Sequence, residues 1–362
     1  MVVTSSVEVQ VVYDPRAGVK GLVDAGVKQL PIMFVHDFKN PEDKPGAKKS
    51  QLSIPIIDIA GANQDAASLT RVIINILDAG ERWGFFQVVN HGIPVNVMDN
   101  MINAVRKFFE QDVENKAKYC SQNVKNIFRY NSVPSDGSRL RGIGWSDSIV
   151  SSLDPLPQNF EALPLEFRDP MMEYTSHLKI LGSTLYGLVS QGLGLKASHL
   201  EDIGCADGLA FVGHYYPPCP EPEKTLGSLS HTDIAFLNII LQDQVGGLQV
   251  LHHGEWVDVT PLPGALVVTL GDMMQLITNG RFKSADHRVV SKRLGPRTSV
   301  ASFLGPQYSE AYESRIYGPI NELISEENPP VYMETTTKEY AEFYYSNLIN
   351  KDGISALEHF KM

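Results

Sequence analysis

The chain has 362 residues, of which 43% are hydrophobic, ample apolar material for one large packed domain or two smaller ones. Lys+Arg 31 against Asp+Glu 42 gives a net charge of −11, which argues against a phosphate backbone or an anionic membrane surface as partner. Three cysteines, Cys120, Cys205 and Cys219, form no paired metal spacing and leave one over, so neither a disulfide framework nor a zinc–cysteine site is indicated.

The first ten residues lack a basic start followed by a long apolar stretch, and no apolar run reaches the ~20 residues of a membrane span. The chain reads as cytoplasmic. A short helix is expected to begin at Val19–Asp24, and the charged, proline-punctuated stretch from Lys39 to Ser50 reads as a mobile loop. Ile54–Ile59 is a β-branched run with a proline near its start, the kind of strand found at a sheet edge. Val72, Ile73, Ile76 and Leu77 fall at helical spacing, and Trp83–Val89 then reads as a strand. His91, in the turn that ends this strand, is expected to serve a structural hydrogen bond. A second helix starts near Pro94, with Met98, Met101, Ile102, Val105 and Phe109 on one face.

Residues 123–155 are the least regular and admit two readings, a surface loop with aromatic anchors or part of a pocket wall. Leu178, Leu181, Leu185 and Leu188 mark a long helix that Gly192 to Gly194 ends. Near residue 205 the period changes to short strands and turns. Phe211–Tyr216, Ile239–Asp243, Leu248–Leu251, Trp256–Val259 and Ala265–Leu270 read as strands, and His252 and His253 are expected in an exposed hairpin turn.

Inside this β region lies His231, Thr232, Asp233. An imidazole and a carboxylate two residues apart on extended backbone point to the same side, which suits two ligands of one metal. His287, 54 positions beyond Asp233, is the best third ligand. Its neighbour Asp286 would face the other way. Two histidines and one carboxylate leave the opposite face of a metal open, the arrangement of non-haem Fe(II) oxygenases, although zinc accepts the same set. Ten residues on, Arg297 and Ser299 share one face of a strand that runs through Phe303. A planar guanidinium fork and a hydroxyl there imply an anionic cosubstrate.

With these residues in view, the chain resembles the plant-type 2-oxoglutarate- and Fe(II)-dependent dioxygenases, through their His-x-Asp…His and Arg-x-Ser motifs. Further matches are IPIID at 54–58, WGFFQVVNHG at 83–92, YYPPCP at 215–220, GGLQV at 246–250 and GD at 271–272. The two ends, GVKGLVDAG at 18–26 and SALEHFK at 355–361, resemble the subgroup of the 1-aminocyclopropane-1-carboxylate oxidase homologues, deacetoxyvindoline 4-hydroxylase and the benzoxazinoid-glucoside dioxygenases.

The resemblance implies a mixed α/β fold with a double-stranded β-helix (jelly-roll) core flanked by helices. Four regions are expected: an N-terminal arm and loop (1–50), an N-terminal helical and strand region (51–204), the jelly-roll core (205–310) and a C-terminal helical extension (311–362). It also implies Fe(II) on His231, Asp233 and His287. The cosubstrate 2-oxoglutarate would be held by Arg297 and Ser299, with a contact from Tyr216; dioxygen completes the set and ascorbate supports it. His214 departs from the family's usual asparagine two positions before that tyrosine, which puts its contact in doubt. The expected reaction is hydroxylation of a small specialised metabolite with release of succinate and CO2. The substrate is a small molecule, with no nucleic acid or membrane partner. Two other readings stay open, an oxidase of the same fold that needs no 2-oxoglutarate and a non-catalytic small-molecule binder. Val212, Phe236, Phe303 and Leu304 are candidate substrate contacts by proximity to the motifs, together with residues 125–145 and the helix around Tyr340–Tyr345; each fits core packing equally well.

Overall fold

The structure, a computed structural model, describes residues 13–46, 50–121, 126–131, 142–153, 161, 163–306, 314–350 and 354–362. In chain order its elements are α1 (Gly18–Asp24), β1 (Ile56–Asp58), α2 (Ala66–Arg82), β2 (Phe85–Val89), α3 (Val95–Glu110), α4 (Val113–Ala117), β3 (Phe128–Asn131), β4 (Asp147–Ser152), α5 (Leu165–Gly192) and α6 (His199–Asp202). There follow β5 (Leu209–Tyr216), β6 (Leu226–His231), β7 (Leu237–Gln242), β8 (Leu248–His252), β9 (Glu255–Asp258), β10 (Leu266–Leu270), α7 (Asp272–Ile277), β11 (His287–Val290) and β12 (Arg297–Leu304). The chain closes with β13 (Ile316–Tyr317), β14 (Thr335–Thr336), α8 (Thr337–Asn350) and α9 (Ala356–His359).

Eight strands form the main sheet in the order β1-β2-β10-β7-β12-β5-β4-β3, and four form a second sheet, β6-β11-β8-β9. The mixed α/β jelly-roll expectation is met. β7, β10 and the centre of β12 are buried on both faces, because the sheet is covered twice. On its outer face Leu237, Ile239, Leu241 and Val300 meet α2, α3 and α5 in one large core. On its inner face Tyr216, Ile240, Val267 and Ala301 meet Leu248, Val250 and Val289 of the second sheet. Sites built between the two sheets therefore stand on rigid strands.

Local sequence explains the flanking elements. Asp65 caps α2 by accepting from the backbone N–H groups of Ala67 and Ser68, both at 2.9 Å. Val72, Ile76 and Ala79 then repeat at helical spacing on its buried face. β1 is an edge strand, parallel to β2, which leaves Pro55 clear of any ladder bond it lacks the N–H to make. His91 is structural: its Nε2 pairs with the Gly264 carbonyl at 3.0 Å and its Nδ1 accepts from Ile93 N–H. His253 is exposed, but His252 is half-buried and stacks on Trp83 with ring centroids 3.6 Å apart, because the hairpin folds over that indole. The stretch after Lys39 is tied down at Asp43, whose carbonyl accepts from Arg288 at 2.7 Å. Among the described residues no helix is long and apolar enough to cross a membrane.

Candidate metal centre

His231 ends β6 and His287 opens β11, and antiparallel register places the two residues directly opposite each other. Their rings lie 4.3 Å apart. Each imidazole is fixed at Nδ1 by a carbonyl two residues upstream, Leu229 at 2.8 Å for His231 and Ala285 at 3.1 Å for His287. A carbonyl only accepts, so the proton sits on Nδ1 and the lone pair of Nε2 is free to ligate. Burial, reinforced by the neighbouring His287 ring, holds the pKa of His231 below its usual value and keeps that lone pair available.

Asp233 follows β6 on the loop that leads to β7. Its Oδ2 accepts from Asn238 Nδ2 at 2.7 Å and from Thr269 Oγ1 at 3.2 Å, while its carbonyl accepts from the Asp272 N–H at 2.7 Å. So held, its Oδ1 lies 3.7 Å from His231 Nε2 and its Oδ2 3.6 Å from His287 Nε2. The ligand atoms of the three residues fall within 4.8 Å of one another. Nitrogen and oxygen atoms spaced like this around a common centre match a divalent metal at bond lengths of about 2.0–2.2 Å. The donor set thus fits the metal that the sequence pattern implies.

A second polar cluster lies on the inner face of β12, where Arg297, Ser299, Ala301 and Phe303 alternate inward. Arg297 is buried; its Nη1 donates to Ser299 Oγ at 2.9 Å, its Nη2 to Gln242 Oε1 at 3.1 Å, and its guanidinium carbon lies 4.9 Å from the Tyr216 ring centroid. Among the described residues no carboxylate pairs with it, and Arg297 Nε and Gln242 Nε2 are buried without acceptors. A buried cation with donors to spare is a cradle for an anion. Tyr216 stands opposite Arg297 in the β5–β12 ladder, and His214 stands opposite Ser299. His214 Nδ1 shares a hydrogen bond with Ser148 Oγ at 2.8 Å. Burial, with the positive charge of Arg297 nearby, pushes its pKa down to about 3 and keeps the ring neutral.

Val212 and Phe303 also face inward: Val212 pairs with Ala301, and Phe303 pairs with the Asn238 that holds Asp233. Phe236 and Leu304 do not join them. Phe236 packs edge-on to Tyr317 in the helix-side core. Leu304 falls on the outer face of β12 because it is an odd step from Phe303, and it sits against Gly182 of α5. Of residues 125–145, positions 125 and 132–141 lie outside the described residues. Asp286 is exposed, as its position next to His287 requires.

Sequence reasoning missed Asn238, Gln242 and Thr269. The available signal was polar residues at alternate positions of β7, in a strand whose every residue is buried. Asp272 lies behind the metal loop: its Oδ2 accepts from Tyr340 at 2.9 Å and from Thr232 at 3.1 Å, and burial pushes its pKa up to about 6. Tyr344 of α8 donates to the Thr232 carbonyl at 2.6 Å, so the C-terminal helix is bolted to the loop between the candidate ligands.

Comparison with known proteins agrees with this geometry. The model of the 2OG-Fe(II) oxygenase superfamily matches residues 208–306, and that of the non-haem dioxygenase in morphine synthesis N-terminal region matches residues 54–165. The chain is 45% identical over 352 residues to 1-aminocyclopropane-1-carboxylate oxidase homolog 12 of Arabidopsis thaliana, covering 96% of this chain and 95% of that one. It is 42% identical over 361 residues to deacetoxyvindoline 4-hydroxylase of Catharanthus roseus, covering 98% and 89%. A crystal structure of JOX2 in complex with 2OG, Fe, and JA superposes with a TM-score of 0.76 at 32% identity, over 90% of this chain and 92% of that one.

Proposed function

Since the chain belongs to the 2OG-Fe(II) oxygenase superfamily and to its plant subgroup of 1-aminocyclopropane-1-carboxylate oxidase homologues, we propose that His231, Asp233 and His287 hold its iron. Arg297, Ser299 and Tyr216 are assigned to the distal carboxylate of 2-oxoglutarate. The substrate is a small specialised metabolite, hydroxylated in the cavity between the two sheets. The observation that carries this reading is the convergence of both Nε2 atoms on one carboxylate, at 3.7 and 3.6 Å.

Bound iron and 2-oxoglutarate supply an oxidant derived from dioxygen, with succinate and CO2 as co-products. The chain's own residues do the rest. Leu229 and Ala285 keep the protons of the two imidazoles at Nδ1. Asn238 and Thr269 fix the rotamer of Asp233, so the metal site is preorganised. Arg297 offers its unpaired Nε and its fork to a dicarboxylate, with Gln242 and Ser299 holding the guanidinium in plane. Neutral His214 adds a polar edge beside that site without a competing charge. Val212 and Phe303 wall the space next to the metal, where exclusion of water and placement of one C–H bond decide which carbon reacts. Three free cysteines fit a reducing compartment, and we place the enzyme in the cytoplasm.

The test is product stoichiometry. With Fe(II), 2-oxoglutarate and a turned-over substrate, one succinate should form per hydroxylated product, and His287→Ala should abolish both. Product formation without succinate, or unchanged turnover in His287→Ala, contradicts the assignment.

A further inference from the structure

β3 sends Phe128 and Tyr130 into the helix-side core among Phe108 and Phe109. The residue between them, Arg129, therefore points to the other face. Register carries that face across the sheet: Arg129 stands opposite Val150, Val150 opposite Val212, and Val212 opposite Ala301. The next inward row is Ser148, His214 and Ser299. Arg129 thus belongs to the inner face of the main sheet, three strands and roughly 14 Å along the sheet from Ala301 at about 4.8 Å per strand. Tyr345 of α8 lies near enough to Arg129 to interact with its charge. Tyr344, beside it, is the residue bolted to the Thr232 carbonyl.

Arg129 has no ion-pair or hydrogen-bond partner among the described residues, and its Nε is buried without an acceptor. The other buried or partly buried arginines among the described residues are engaged: Arg106 with Asp243, Arg168 with the Leu163 and Glu161 carbonyls, Arg288 with Gln249 and the Asp43 carbonyl, and Arg315 with Asp207. Arg297 donates to Ser299 and Gln242 but has an unsatisfied Nε and no carboxylate partner among the described residues, and the 2-oxoglutarate carboxylate accounts for it. In a chain with 42 acidic residues against 31 basic ones, a half-buried guanidinium that pairs with no carboxylate among the described residues carries a desolvation cost that these residues do not offset. Burial correspondingly weakens its hold on its proton. A ligand oxyanion would remove that cost.

We propose that Arg129 binds a carboxylate on the primary substrate. The substrate is then a small organic acid with a largely apolar body, lying along Val150 and Val212, with its acid group at β3 and its reacting carbon near Phe303 and the metal ligands. The planar fork favours bidentate pairing with a carboxylate over a neutral ester or amide. This inference rests on the oxygenase reading above.

The experiment is anaerobic calorimetry on protein loaded with Fe(II) and saturating 2-oxoglutarate, titrated with aryl and alkyl monocarboxylic acids of nine to twelve carbons and with the methyl ester of each. At least one acid should bind about tenfold or more tighter than its ester. Arg129→Met should erase that preference, and Arg129→Lys should restore part of it. The visible charge-transfer band of the iron–2-oxoglutarate chelate, recorded on every sample, reports the metal and cosubstrate sites separately. Its absence from wild type would defeat the oxygenase reading itself. With the band present, the Arg129 assignment is overturned if no acid outbinds its ester or if the preference survives in Arg129→Met. It is equally overturned by acids that bind only by displacing 2-oxoglutarate, since that places them at Arg297.

Discussion

Asn238 reaches the candidate metal ligands from the middle of a strand that otherwise reads as core. Its amide bridges Asp233 Oδ2 and Thr269 Oγ1, at 2.7 and 2.9 Å, and so fixes the carboxylate that both histidines approach. Asn238→Ala is expected to lower iron affinity about 10–100-fold while leaving the fold intact, as read by iron titration beside circular dichroism. Arg297→Ala should act differently, raising the KM for 2-oxoglutarate far more than it lowers kcat, because the distal carboxylate is bound in ground and transition states alike. Equal losses in both parameters would place Arg297 elsewhere in the cycle. The residues proposed for the metal and the cosubstrate were legible as residue types at fixed spacing. Asn238 was not, since its meaning depends on which strand lies beside it. Leu304 shows the converse: proximity to Phe303 in sequence suggested the pocket, but a step of one along a strand turns a side chain to the other face.

At the scale of elements, most strands of the core were readable from short apolar runs between glycine and proline turns, and α2 and α3 from their helical spacing. β3 and β4 were not. β4 buries Asp147, Ile149 and Ser151 on one face, so two of its three buried positions are polar and the hydrophobic alternation is hidden. The reason lies 128 residues away, where Asp147 accepts the Val19 N–H at 2.8 Å. The start of α5 was hidden by Pro170, which the helix tolerates within its second turn at the loss of one hydrogen bond. The loop that carries Asp233 packs closely on Gly271, where a Cβ would run into the carbonyl oxygens of Ala235 and Asp233. Gly271→Ala should therefore destabilise the protein by about 1–3 kcal/mol and weaken iron binding with it. Stability measured with and without Fe(II) checks both, and a variant as stable as wild type would show that the loop yields.

For the whole molecule, the N-terminal segment packs Val19, Leu22 and Phe34 against Trp145, and a carboxylate of β4 joins the start of α1 to the main sheet. Asp147 accepts from Val19 and Lys20 at the start of α1, both at 2.8 Å. Gly18 enters that turn at φ +69°, where a side chain would collide with Asp147. Burial pushes the Asp147 pKa up to about 6 from 3.8, against the pull of the two N–H groups. The native state thus holds this proton more tightly than the unfolded chain does. The group's contribution to stability is present in full below about pH 4 and is lost as pH rises through about 6, worth about 3 kcal/mol across that window. Asp147→Asn, which cannot ionise, should flatten this part of the pH profile. The wild-type minus variant difference in Tm between pH 4 and 7 measures it, and parallel profiles would remove Asp147 from the account.

The central claim is that His231, Asp233 and His287 form an iron site beside a 2-oxoglutarate cradle at Arg297. Anaerobic titration of metal-free protein with Fe(II) and then 2-oxoglutarate tests it most directly. We expect a visible charge-transfer band that saturates at one iron and one 2-oxoglutarate per chain, and that disappears in Asp233→Ala. Iron that binds without giving the band, or a band that persists in Asp233→Ala, would contradict the site.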